Sequence, residues 1–158
     1  MSMSCFPTSP RPWLAAVLAI AGVSDLAPAH AHQVWLENAG GQARLHFGEF
    51  NDNLRETSPG RLDQFKGVPL LEQQRTGAPA QRVDGQLGKD AFVYATTGSP
   101  DTLFATPTYP VIDRSKRNLP AMYWQPAARW VASLAKPVAP TAALDLVPTG
   151  KPGELKVV

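Results

Sequence analysis

Twelve of the chain's 16 prolines lie beyond residue 31, and they are spread along that whole stretch. Proline lacks a backbone N–H, and its ring clashes with the preceding helical turn, so each one ends or kinks a helix. A chain punctuated in this way cannot build long helices. The short stretches between the prolines suit strands. "HQVWLE" and "ARLHFGEF" alternate apolar and polar residues around "NAGGQ", which is a hairpin pattern. "AFVYATT", "TLFATP", "MYWQPAARWVASL", "ALDLVP" and "ELKVV" are rich in aromatic and branched residues and are further strand candidates. Many short strands separated by turn signals predict an all-β fold, an immunoglobulin-like β-sandwich. One short helical turn is expected in "TSPGRLDQFKG". Ser58 can cap it, Pro59 fits its first position and Gly67 can end it. Leu62 and Phe65 are three apart, share a face and would pin the turn to the sandwich.

The first 31 residues have a different character. "MSMSCFPTSPRP" carries one basic residue, "WLAAVLAIAGV" (residues 13–23) is uncharged and apolar, and "SDLAPAHA" is small and polar. That order is the signature of a secretory signal peptide, expected over residues 1–31. The apolar run is well short of the roughly 20 residues that cross a bilayer as a helix. An exported protein, periplasmic or secreted and bacterial, without a transmembrane segment in its mature chain, is the expectation. Cleavage needs small residues at the third and first positions before the cut. Ala29 and Ala31 provide them for a start at His32, and Ala27 and Ala29 for a start at His30. The first site is favoured, because Pro28 lies inside the second.

The single cysteine, Cys5, would leave with this leader. The mature chain then offers no disulfide, no thiolate ligand and no thiol nucleophile. Arg11 and Asp25 would leave together, so the net charge of +2 is unchanged. So mild a balance, with basic residues clustered only in "DRSKR", argues against nucleic-acid binding.

The chemistry rests on three histidines, His30, His32 and His46. A chain that starts at His32 carries an α-amine and an imidazole on one residue, and the two can chelate one ion. His46 lies across the hairpin and could add a third nitrogen. Nitrogen donors without thiolates suit Cu(II) or Ni(II). The amine's ordinary pKa of about 8 lets a metal displace its proton at neutral pH. A chain that starts at His30 reads His-Ala-His, and its amine, backbone nitrogens and ring select the same metals. His32 and His46 are therefore the expected metal ligands. Glu49 and Asp52 could complete a site or could be solvated turn residues. Register is the sensitive step, because a one-residue slip sends His46 to the other face of the sheet.

Catalytic motifs are absent. There is no G-x-S-x-G elbow, P-loop, dinucleotide fingerprint or H-E-x-x-H. The chain is read as a non-enzyme. Trp35, Trp124, Trp130, Tyr94 and Tyr123 could stack on a sugar, but on strands such side chains more often form the core.

Four stretches, "HQVWLE", "LHFGEFNDNLRETSPGRLDQF", "YWQPAARWVA" and "LDLVPTGKPGELKVV", resemble the domain-of-unknown-function family 4198. These secreted bacterial proteins are related to periplasmic components of nickel and cobalt uptake. The resemblance implies the immunoglobulin-like sandwich, a periplasmic location and a role in handling a transition metal such as Ni(II) or Co(II). It also implies a metal-transporter component of the inner membrane as a partner. It divides the chain into a signal peptide (1–31), a β-sandwich domain (32–148), and a linker with the opening strand of a further β-domain (149–158). The reading is a protein that binds a transition metal for uptake or buffering. Its alternative is a structural or interaction module without ligand.

Overall fold

The structure, a computed structural model, describes residues 31–158, and Ala31–Val158 form one compact unit. The expected leader and His30 lie outside the described residues. The first hairpin forms where alternation and turn chemistry agree. β1 (Gln33–Ala39) and β2 (Gln42–Glu49) pair antiparallel around Gly40 and Gly41, whose φ values are 59° and 77°. Two successive left-handed residues make the turn whose twist matches flanking strands, and glycine adopts it without strain.

β3 (Leu54–Arg55) pairs with the far end of β2, and β7 (Phe92–Ala95) with its beginning. β6 (Gly85–Leu87) completes this sheet in the order β1-β2-β7-β6. β4 (Leu71–Gln74), β5 (Gln81–Val83), β8 (Thr102–Ala105) and β9 (Ala128–Val131) form a second antiparallel sheet in the order β5-β4-β8-β9. β10 (Leu146–Pro148) and β11 (Leu155–Val157) form a separate ribbon. The all-β expectation therefore holds, in a sandwich-like arrangement. Leu36, Leu45 and Phe47 from the first hairpin meet Phe92 and Tyr94 of β7 and Leu71, Leu103 and Ala128 of the second sheet in a single core. Tyr94 is buried, and its hydroxyl donates to the Pro69 carbonyl at 2.8 Å. Trp124 and Trp130 pack on the core, whereas Tyr123 is 82% exposed.

The helical turn is shorter than its sequence suggests. A 3₁₀ turn spans Arg61–Gln64, so Pro59 lies before it rather than at its first position. Ser58 acts from outside: its hydroxyl donates to Asp63 Oδ1 at 2.7 Å, and the Gly60 N–H donates to Asp63 Oδ2 at 2.6 Å. Leu62 and Phe65 are both buried, as their spacing requires. "DRSKR" carries a second, exposed 3₁₀ turn, Ser115–Arg117. "MYWQPAARWVASL" yields only β9, because Pro126 breaks its first half and leaves Met122 in an isolated bridge with Ile112. Within residues 149–158, β11 pairs back with β10 inside the same compact unit. Among the described residues, no helix is long and apolar enough to cross a membrane.

Candidate functional site

The hairpin register decides where the histidines go. Trp35 lies opposite His46, Glu37 opposite Arg44 and Gln33 opposite Gly48. Successive side chains on a strand point to opposite faces. Val34, Leu36, Leu45 and Phe47 therefore turn to the core, and Trp35, Glu37 and His46 to the other face. His32 precedes β1 by one residue and falls on the core side, where its ring lies 5.1 Å from that of Phe47. The two expected ligands are not brought together. This corrects the joint site: the residue types suit it, but the register separates the rings.

His32 sits in a charged cluster at the mouth of the core. Its Nε2 is 2.6 Å from Glu56 Oε1 and its Nδ1 is 3.6 Å from Glu49 Oε1. A carboxylate only accepts, so the short contact puts the proton on Nε2 and leaves a lone pair on Nδ1 of the neutral ring. Arg61 Nη1 lies 3.2 Å from the same Nε2, and its Nε lies 3.7 Å from Glu56 Oε1. With Nε2 protonated, Arg61 serves Glu56 as a counter-charge rather than donating to the ring. The His32, Glu49 and Glu56 side chains keep 24%, 14% and 19% of their surface exposed, so the cluster is reachable from solvent. Glu49 ends β2 and Glu56 follows β3, so the short β2–β3 pairing brings the two carboxylates to one place. Asp52 is exposed in the turn between them.

His46 is enclosed, with 1% of its side chain exposed. Its Nδ1 lies 3.0 Å from the Asp90 carbonyl, which fixes the ring proton on Nδ1. Its Nε2 is buried without a hydrogen-bond partner and lies 3.4 Å from Glu37 Oε2, outside hydrogen-bond geometry. The Trp35 indole stacks on the imidazole with ring centres 5.2 Å apart. Glu37 Oε1 accepts from the Trp35 indole N–H at 3.1 Å and from Arg55 Nη2 at 2.8 Å. The indole hydrogen bond first, and then the Arg55 guanidinium, hold the Glu37 carboxyl below its ordinary range against the opposing effect of burial.

Among the described residues, no group of three or more His, Cys, Asp or Glu side chains is arranged to hold a metal ion. Glu37, Glu56, Arg61 and Asp90 escaped the reading of the sequence. The signal for Glu37 was present: a two-residue Gly-Gly loop fixes the register, and that register sets Glu37 beside His46 on one face. Glu56 and Asp90 carry no such signal, since each reaches its histidine through a later strand or turn. No family model matches this chain, and neither a curated protein nor a solved structure does.

Proposed function

We propose that this chain is an exported periplasmic protein, an immunoglobulin-like β-sandwich that binds Cu, Ni or Co for uptake or buffering. The ion is held at the amino terminus that cleavage after Ala31 would create. One observation carries the reading. The 2.6 Å contact between His32 Nε2 and Glu56 leaves Nδ1 as the free ring nitrogen, 3.6 Å from Glu49 Oε1. Nδ1 is the nitrogen that closes a chelate ring with the α-amine of the same residue. A carboxylate behind the other nitrogen is the outer partner that orients a ligating imidazole and raises its basicity. The donor set is then the amine, Nδ1 and a Glu49 oxygen, which suits Cu(II) or Ni(II). His46 is not part of it.

Two antiparallel sheets on one core, with the non-consecutive neighbours β2–β7 and β4–β8, support the immunoglobulin-like arrangement. The resemblance to family 4198 supports the periplasmic setting and a transporter component as partner.

The test has two parts. Intact mass of the periplasmic protein is expected to match a chain that starts at His32. Calorimetric titration with Cu(II) then compares that chain with one extended by a single alanine before His32, and with Glu49→Gln. The extension is expected to weaken binding at least tenfold, about 1.4 kcal/mol, and Glu49→Gln less. If the extended chain binds Cu(II) as tightly as the native one, the amino-terminal site does not exist. The His32–Glu56–Arg61 cluster is then a structural ion-pair network in a module without ligand.

A further inference from the structure

We propose that His46 and Glu37 form a second and separate metal site, suited to a tetrahedral divalent ion such as Zn(II). It shares no donor with the amino-terminal site and needs no cleavage of the chain. The starting point is an unresolved electrostatic contact. The Nδ1 proton goes to the Asp90 carbonyl at 3.0 Å, so Nε2 of the neutral ring carries a lone pair. That nitrogen is buried, has no hydrogen-bond partner and faces a carboxylate oxygen at 3.4 Å. That contact is met either by a second ring proton, which makes it an imidazolium–carboxylate pair, or by a metal cation between the two atoms, and the outer contacts and the spacing are those of the metal.

The outer contacts match those of a metal site. A ligating imidazole commonly donates its second N–H to a backbone carbonyl, and a ligating carboxylate is itself hydrogen-bonded. His46 does the first through Asp90. Glu37 does the second, because the Trp35 indole at 3.1 Å and Arg55 at 2.8 Å both take Oε1 and leave Oε2 toward the histidine.

The spacing matches as well. Zinc–nitrogen bonds of about 2.0–2.1 Å and zinc–oxygen bonds of about 2.0–2.2 Å, opened to a tetrahedral angle, put the two donors about 3.3–3.5 Å apart. The observed 3.4 Å falls in that interval. Square-planar Cu(II) would bring neighbouring donors closer, so the two sites favour different metals. The Glu37 side chain is 44% exposed, which gives the ion a way in and leaves the remaining positions to water or an external ligand.

The experiment uses the full 158-residue chain, in which His32 has no free amine. Co(II) is the probe, a tetrahedral stand-in for Zn(II) that quenches nearby indole emission. Trp35 stacks 5.2 Å from His46 and should report its arrival. The expected result is saturable quenching that Zn(II) reverses. Trp35→Phe should lose that quenching while calorimetry still registers Zn(II). Glu37→Gln should weaken both metals at least tenfold, and His46→Ala should abolish the site, with circular dichroism reporting the fold of each variant. Because His46 is buried, the decision rests on the half-exposed Glu37 if His46→Ala does not fold. Quenching that is absent in the native chain, unchanged in Glu37→Gln, or retained in Trp35→Phe overturns the proposal. Cu(II) affinity measured on chains extended before His32 does not bear on this site, so the two readings fail independently.

Discussion

Arg129 and Asp145 meet with only 9% and 4% of their side chains exposed. Burial raises a carboxyl's pKa, yet the guanidinium and the Thr141 and Ala142 N–H groups together hold Asp145 below its ordinary range. Arg129 also donates to Thr102 at 3.1 Å and Thr141 at 2.8 Å, and covers the Phe104 ring at 4.9 Å. Removing one partner strands the other. Arg129→Ala is expected to cost about 3–5 kcal/mol in urea unfolding, and a loss under about 1 kcal/mol would show that water reaches Asp145. Phe65→Ala should cost a similar amount, about 3–5 kcal/mol, through the cavity left among Phe47, Phe92 and Tyr109. Asp101 gives a pH dependence. The Thr76 N–H, the Lys136 ammonium and the Thr76 hydroxyl bring its carboxyl down to about 2. The unfolded value is about 3.9. Between the two the unfolded chain binds more protons, so this contribution is complete above about pH 4 and is lost as pH falls through the folded value. Asp101→Asn should therefore flatten the dependence of the urea midpoint between about pH 4 and pH 2, and an unchanged slope would show that the contacts are not kept in solution. Residue identities were legible at this scale, whereas environments were not. His32 and His46 stand out in any reading, but the sequence does not say that one meets Glu56 and the other Asp90.

Hairpin β1–β2 was legible because three local signals coincide: alternation on both strands, a Gly-Gly pair, and aromatic or branched residues around it. Gly40 has no atom within 4 Å of where a Cβ would stand, so its requirement is the backbone alone, at φ 59°. Gly40→Val should cost about 1–2 kcal/mol, the penalty of a left-handed conformation, and Gly40→Asn much less. Equal costs would show that the turn relaxes to another form, and the register that separates the histidines would then be in doubt. β4 shows why other elements were hidden. Its "LEQQ" reads as polar, yet Leu71 and Gln73 both point inward. Gln73 is tolerated there because its amide donates to Thr97 O at 2.6 Å, and its Oε1 accepts from Thr97 N–H at 3.2 Å. A buried glutamine satisfied by a distant loop erases the alternation on which strand recognition depends. β5 and β6 are three residues each, too short for period two to register.

On the scale of the whole molecule, the two sheets share one core, and the chain's last residues pair back on β10. "ELKVV" was legible as a strand but not its partner, because nothing local says which earlier segment it will meet. It pairs with β10, setting Leu146 opposite Val157. Beyond the ladder, Asp145 and Val158 exchange two backbone hydrogen bonds at 3.0 Å. These grip the backbone of the residue whose side chain neutralises the buried Arg129, so the end of the chain and the interior of the second sheet are mechanically linked. Val147, between the two, is buried. Deleting residues 149–158 should therefore do more than remove a tail. Backbone bonds contribute about 0.5–1.5 kcal/mol each, so losing the ribbon should cost at least about 2 kcal/mol, with a further loss if Asp145 shifts from Arg129. The two losses are separable. In the Arg129→Ala background the deletion should cost less than in the native chain, because the ion pair it loosens is already gone, and a double-mutant cycle measures the difference. Strict additivity would mean that the ribbon holds only itself. A deletion without effect on the urea midpoint would make residues 149–158 a tether outside the cooperative fold.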